Sequence, residues 1–143
     1  MFRILCLLVC AVFINSCSVA PKKVPPKPAS RADLKLLKSA KKDIKARRMN
    51  RAKNKLGKLV TGDPSSDIVD DAHIELGDIF YGEENYQQAY ESYVAVVNSN
   101  IFSPLEAEAA YKAARALTKM GRFDEAIALT DKLLRYNKVS SQA

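Results

Sequence analysis

Asn85-Tyr86-Gln87-Gln88-Ala89 and Arg122-Phe123-Asp124-Glu125-Ala126 stand thirty-seven residues apart and share a pattern: polar, aromatic, two polar, alanine. The same step backwards reaches Arg48-Met49-Asn50-Arg51-Ala52. Met49, Tyr86 and Phe123 therefore form one column of large apolar residues, and Ala52, Ala89 and Ala126 a column of small ones. Leu59, Val96 and Leu133 form another, followed by Val60, Val97 and Leu134. Upstream, Ala40, Gly77 and Ala114 match as small residues, and Ser66 matches Ser103. A repeat of this length is one supersecondary unit that cannot bury its apolar face alone, so successive copies stack and share a core.

Within each copy the periodicity is helical. Leu34, Leu37, Ala40 and Ile44 recur at helical spacing behind Ser30-x-x-Asp33, a capping-box pattern. Asn85-x-x-Gln88 is a second cap. Ser103-Pro104-Leu105-Glu106 is a third, with Ser as N-cap and Pro at the first helical position. The spacing predicts helices over 31–46, 49–61, 67–82, 86–98, 104–120 and 123–136. No segment after residue 30 alternates as a strand does.

These columns resemble the tetratricopeptide repeat, a pair of antiparallel helices. The middle copy carries the resemblance best: Leu76-Gly77 at the close-packing point of the first helix, Phe80 one turn on, Ala89 in the second helix, then Tyr93 and Val96. The third copy runs Ala113-Ala114, Leu117, Gly121, Phe123, Ala126 and Leu133. The first is degenerate, with Asp43 where the middle copy has Phe80, although Asp63-Pro64 supplies the proline expected after a second helix. The period is thirty-seven where the family's is usually thirty-four. The resemblance covers residues 31–136 and implies an all-α fold of three stacked antiparallel hairpins, a solenoid, before a polar tail at 137–143.

The first thirty residues read differently. Arg3 precedes an eleven-residue apolar run, Ile4 to Ile14. About twenty apolar residues are needed to span a bilayer, so the run has the proportions of a secretory signal. Ile14-Asn15-Ser16-Cys17 resembles the bacterial lipobox. That resemblance implies a signal peptide at 1–16, cleavage before Cys17, and a diacylglycerol thioether and N-acyl chain on Cys17. Ser18 resembles the residue of lipoproteins sorted to the outer membrane, facing the periplasm. Residues 17–30 then form a linker. Pro21-Lys22-Lys23-Val24-Pro25-Pro26-Lys27-Pro28 holds four of the six prolines and predicts an extended, solvated spacer.

The net charge of +7 conceals a dipolar chain. Fifteen Lys or Arg stand between Lys22 and Lys58 against Asp33 and Asp43, whereas Pro64 to Asn100 holds eight acids and no Lys or Arg. The basic first hairpin admits three readings: nucleic-acid binding, an anionic lipid or acidic protein, or partial neutralisation by the acidic middle hairpin. Export and missing base-stacking aromatics argue against nucleic acid; neutralisation, through acids such as Asp70, Asp71 and Glu75, is the simplest. The three cysteines, Cys6, Cys10 and Cys17, all precede the repeat, so Cys and the single His73 cannot assemble a metal site. His73 falls at a packing position. Asp70-Asp71 and Glu83-Glu84 are adjacent in sequence and point apart on a helix. No enzyme, metal or cofactor beyond the lipid on Cys17 is expected.

What remains is surface. In this repeat the first helices line a concave groove that takes peptides or partner helices. Position by position, the resemblance assigns to it Leu37, Lys41 and Ile44, then Ile74, Asp78 and Tyr81, then Tyr111, Arg115 and Thr118. Tyr81 and Tyr111 serve equally well as anchors or as packing between hairpins. The stack lacks a polar capping helix, which leaves Leu129 and Leu133 partly uncovered for a partner or a second copy, unless the chain is part of a longer one. The expected function is a lipid-anchored scaffold of protein–protein contacts in an envelope assembly of the outer-membrane-assembly, secretion or pilus type. The alternative is a non-catalytic regulatory subunit of a peptidoglycan synthase or hydrolase.

Overall fold

The computed structural model describes residues 23–99 and 103–140, the last nine of these by their backbone. Cys6, Cys10, Cys17 and the rest of the expected signal lie outside the described residues, as do the Leu133 and Leu134 side chains. The described chain is all-helical, with six helices and no strand: α1 (Arg31–Lys45), α2 (Met49–Val60), α3 (Val69–Gly82), α4 (Tyr86–Val97), α5 (Glu106–Lys119) and α6 (Phe123–Ser140). Each packs chiefly on the helices before and after it in the chain. None is long and apolar enough to cross a membrane.

The starts and stops have local causes. The Asp33 N–H donates to the Ser30 hydroxyl at 3.1 Å, and the Gln88 N–H to the Asn85 side chain at 3.4 Å, so two of the expected caps form. Ser103 is not the N-cap expected of it. It is buried in a turn, and α5 begins at Glu106 behind Leu105. Ser66 is buried in the same way before α3, which begins at Val69. The last helix runs to Ser140, four residues beyond the expected 136.

The turns after α1, α3 and α5 repeat one backbone geometry. Arg47, Glu84 and Gly121, thirty-seven residues apart, all have positive φ (57°, 60° and 74°). In each turn the next N–H reaches back five residues: Arg48 to Asp43, Asn85 to Phe80 and Arg122 to Leu117, at 2.8, 2.9 and 3.0 Å. This 6→1 bond closes a helix with a left-handed residue, a conformation that costs a non-glycine residue about 1–2 kcal/mol. Only the third turn uses glycine.

The core follows the small columns. Ala40, Ala52 and Ala89 are fully buried, and Ala114 and Ala126 nearly so. At Gly77 the helix backbone approaches the buried Tyr93 so closely that an added Cβ would lie 2.4 Å from a ring carbon. The large column is not uniformly buried. Met49 and Tyr86 are half-buried, whereas Phe123 is 59% exposed, because nothing among the described residues packs over that side of α6. Ile127, one turn on, is equally exposed, while Leu129, expected to be partly uncovered, is partly buried against the core.

The expected free spacer lies against the domain where it is described. Lys27 N–H donates to the Ser65 carbonyl (2.7 Å), Asp67 N–H donates to the Lys27 carbonyl (2.9 Å), and Ala29 N–H reaches the Asp67 carboxylate (3.0 Å). Lys27 pairs with Asp63, and Lys23 with Glu106 in the first turn of α5. An extended proline-rich strip has no internal partners for its remaining backbone groups, so the α2–α3 turn supplies them.

Candidate interaction face of α1, α3 and α5

Side chains of α1, α3 and α5 meet in a line, and most of the charges there are paired. Lys41 on α1 lies 3.4 Å from Asp71 and 3.3 Å from Glu75 on α3. Lys112 on α5 lies 2.7 Å from Asp78 on α3 and 3.0 Å from Glu108. Asp78 also accepts the Tyr93 hydroxyl at 2.7 Å. Burial first, and then this carboxylate, push the Tyr93 phenol far above its ordinary range, so it stays protonated and holds Asp78 in place.

At the α3–α5 end the line turns aromatic. The Arg115 guanidinium stands 5.1 Å from the Tyr81 ring centre and 5.8 Å from that of Tyr111, and Tyr81 meets Tyr86 edge to face at 5.2 Å. Tyr111 is 61% exposed, and Arg115 is exposed with it. A guanidinium stacked on rings keeps its N–H edge free for a planar acceptor. At the other end, a cleft of about 270 Å³ opens between the α1–α2 turn and α3, lined by Ile44, Arg47, Met49, Glu75, Asp78 and Glu83 among others.

Of the nine residues expected to line a groove, seven reach this face: Lys41, Ile44, Asp78, Tyr81, Tyr111, Arg115 and Thr118. Thr118 is exposed and donates its hydroxyl to the Ala114 carbonyl, one turn back in its own helix. Leu37 and Ile74 lie beneath it, although Leu37 still lines an open cavity of about 730 Å³ beside Lys41. They are 8% and 7% exposed, the first in a core cluster with Ile68 and Ala72 of the α3 region, the second with Ala109, Ala110 and Ala113 of α5. Tyr111 holds the same repeat position. It stays open because no further helix follows over it among the described residues. Lys112, Glu75 and Tyr86 also belong to the face. The repeat spacing alone did not pick them out, because each is placed by a partner on another helix or turn of the helix.

The expected neutralisation of the basic pair is partial. Lys41 and Lys53 reach acids of the middle pair, the latter bonding Glu83 at 2.8 Å while lying over the Phe80 ring. Asp70 takes no part. It is buried, and that burial raises its carboxyl pKa against the opposing Ser103 hydrogen bond and Lys23 charge. His73 is half-buried, and burial lowers its imidazole below the ordinary histidine range. Both border an open cavity of about 370 Å³ beside Val24 and Pro64. Among the described residues no group of three His, Cys, Asp or Glu is placed to hold a metal. No protein-family model, curated protein or solved structure matches this chain.

Proposed function

We propose that this protein is a lipid-anchored adaptor of the bacterial envelope. Acyl chains on Cys17 hold it to the outer membrane, and the α1–α3–α5 face receives a partner protein in the periplasm. In this reading the six helices are three antiparallel hairpins of the tetratricopeptide type, stacked as a short solenoid. The thirty-seven-residue return of the left-handed turn at Arg47, Glu84 and Gly121 favours that arrangement, because three like turns repeat one hairpin geometry.

The observation that carries the function is the Arg115 guanidinium held between the rings of Tyr81 and Tyr111, with Arg115 and Tyr111 exposed and Tyr81 partly buried beneath them. Tyrosine and arginine are enriched among the side chains that anchor protein interfaces, tyrosine for its large rigid ring and arginine for its planar array of donors. Here the stack sits beside charges already satisfied within the chain, so a partner would not have to strip them. Stable anchoring needs more than one acyl chain, at about 0.8 kcal/mol per buried methylene, which a triacylated Cys17 provides.

Two experiments test the two halves separately. Cys17→Ala should leave uncleaved precursor and abolish fatty-acid labelling; unchanged processing and labelling would end the lipoprotein half. A photo-crosslinking residue at Tyr111 should give a discrete protein adduct in native envelopes, and one at exposed Asn54 on α2 should not. Equal adducts from both positions, or none from Tyr111, would remove the adaptor half.

A further inference from the structure

Arg31, Lys35, Lys38, Lys42 and Lys45 follow one another along α1 at steps of four and three residues, and all five are exposed. That spacing places them in one row on one side of the helix. At 1.5 Å per residue the row is about 21 Å long. Among the described residues none of the five is in an ion pair; the cations of α1, α2 and the turn between them that meet carboxylates are Lys41, Arg48, Lys53 and Lys55. The two acids of α1 are otherwise engaged: Asp33 at the cap with Ser30, and Asp43 buried against Lys55. Leu34 stands beside the row, 49% exposed.

Like charges three and four residues apart destabilise a helix, so an isolated α1 gains nothing from this row. An anionic counter-surface would turn the repulsion into attraction. We propose that the row docks α1 onto an anionic phospholipid bilayer. A flat headgroup layer meets all five cations at once. Lysine stems lie along its apolar boundary with their ammonium groups in the headgroups, and Leu34 enters between them. An acidic protein would need carboxylates at the same step along the whole 21 Å row, a length estimated from the helix rise at about 1.5 Å per residue. The docking stands on α1 alone and does not depend on acylation of Cys17.

The test is a depth measurement on the full chain, with Leu34→Cys as the label site and Cys6, Cys10 and Cys17 changed to Ser. In vesicles containing phosphatidylglycerol, brominated lipid should quench a fluorophore at position 34. In vesicles of phosphatidylcholine alone it should not, and added salt should reverse the quenching. Each Lys or Arg near an anionic surface strengthens binding about fivefold, so K35E/K38E/K42E should weaken the contact more than ~100-fold and bring quenching to the neutral-vesicle level. K35Q/K38Q/K42Q should fall between, which guards against a fold defect in the charge-reversed protein. The control R51E/K58E/K119E, which removes three cations elsewhere, should retain the quenching. Equal quenching on both vesicle types, none on either, survival of the signal in K35E/K38E/K42E, or its loss in the control would each overturn the proposal. An adduct from Tyr111 would be unaffected by any of these results.

Discussion

The first helix pair and the middle pair share a register but are joined by different chemistry. Between α3 and α4 the joint is steric: Gly77 admits the buried Tyr93 ring, whose hydroxyl reaches Asp78. Between α1 and α2 the same two positions hold Ala40 and Leu56, both fully buried, and an ionic contact is added: Asp43, at the Phe80 position, is buried against Lys55 at 2.6 Å and Arg48 at 3.6 Å. The comparison teaches that a repeat conserves spacing before chemistry. Small residues at positions 40 and 77 let the helices of both pairs approach, while the Phe80 position takes an aromatic ring in one pair and a buried carboxylate with its lysine in the other. The two joints fail differently, and that is how they can be told apart.

The largest effect belongs to the steric joint. Tyr93→Ala empties a fully buried aromatic site and should lower unfolding free energy by about 4 kcal/mol in urea titrations. Gly77→Ala gains helix propensity but drives a methyl into the same ring. It should cost about 2 kcal/mol net, and the cost should largely vanish in a Tyr93→Leu background if the ring is the cause. A Gly77→Ala protein as stable as the parent would show that the notch is not close-packed.

The turns give the next comparison. Glu84→Gly should stabilise by about 1 kcal/mol, and Gly121→Ala should destabilise by a similar amount, because the left-handed conformation is costly only to a residue with Cβ. Opposite signs in thermal melts would sharpen the equivalence of the three turns; equal signs would break it.

The ionic joint should respond to pH. The Lys55 hydrogen bond holds the Asp43 carboxyl below its ordinary value, so its stabilisation is present above the unfolded carboxyl value and is lost as pH falls through the folded one. Asp43→Asn should therefore melt earlier than the parent at neutral pH, by less than Gly77→Ala does, and the two curves should converge in acid. A constant gap down to acid pH would mean that packing and not charge joins the first pair. Smallest of all, Lys41→Ala severs the half-exposed link to Asp71 and Glu75. It should cost under about 1 kcal/mol and nothing at high salt.

Much was legible in advance because it depends on local period. Six helices, their order and the small columns at Ala40, Ala52 and Ala89 follow from spacing alone, since side chains on one helical face recur every three to four residues whatever lies opposite. The caps at Ser30 and Asn85 were legible for the same reason: cap and capped N–H are three residues apart. Ser103 misled because an N-cap pattern can also be a buried turn one step ahead of the helix.

The sites were legible only in part. Lys41, Asp78 and Arg115 were placed on one face by the repeat, but Leu37 and Ile74 share that spacing and are buried. Lys23 and Lys27 belong by sequence to a solvated spacer, yet their partners Glu106 and Asp63 are far along the chain and leave no mark near them. Spacing by itself determined which residues share a helix face and that six helices follow one another along the chain. The tertiary structure alone decided which equivalent positions are covered, which cations find acids, and where the proline-rich strip lies. Exposure and charge pairing depend on the neighbour across an interface, and local periodicity does not encode that neighbour.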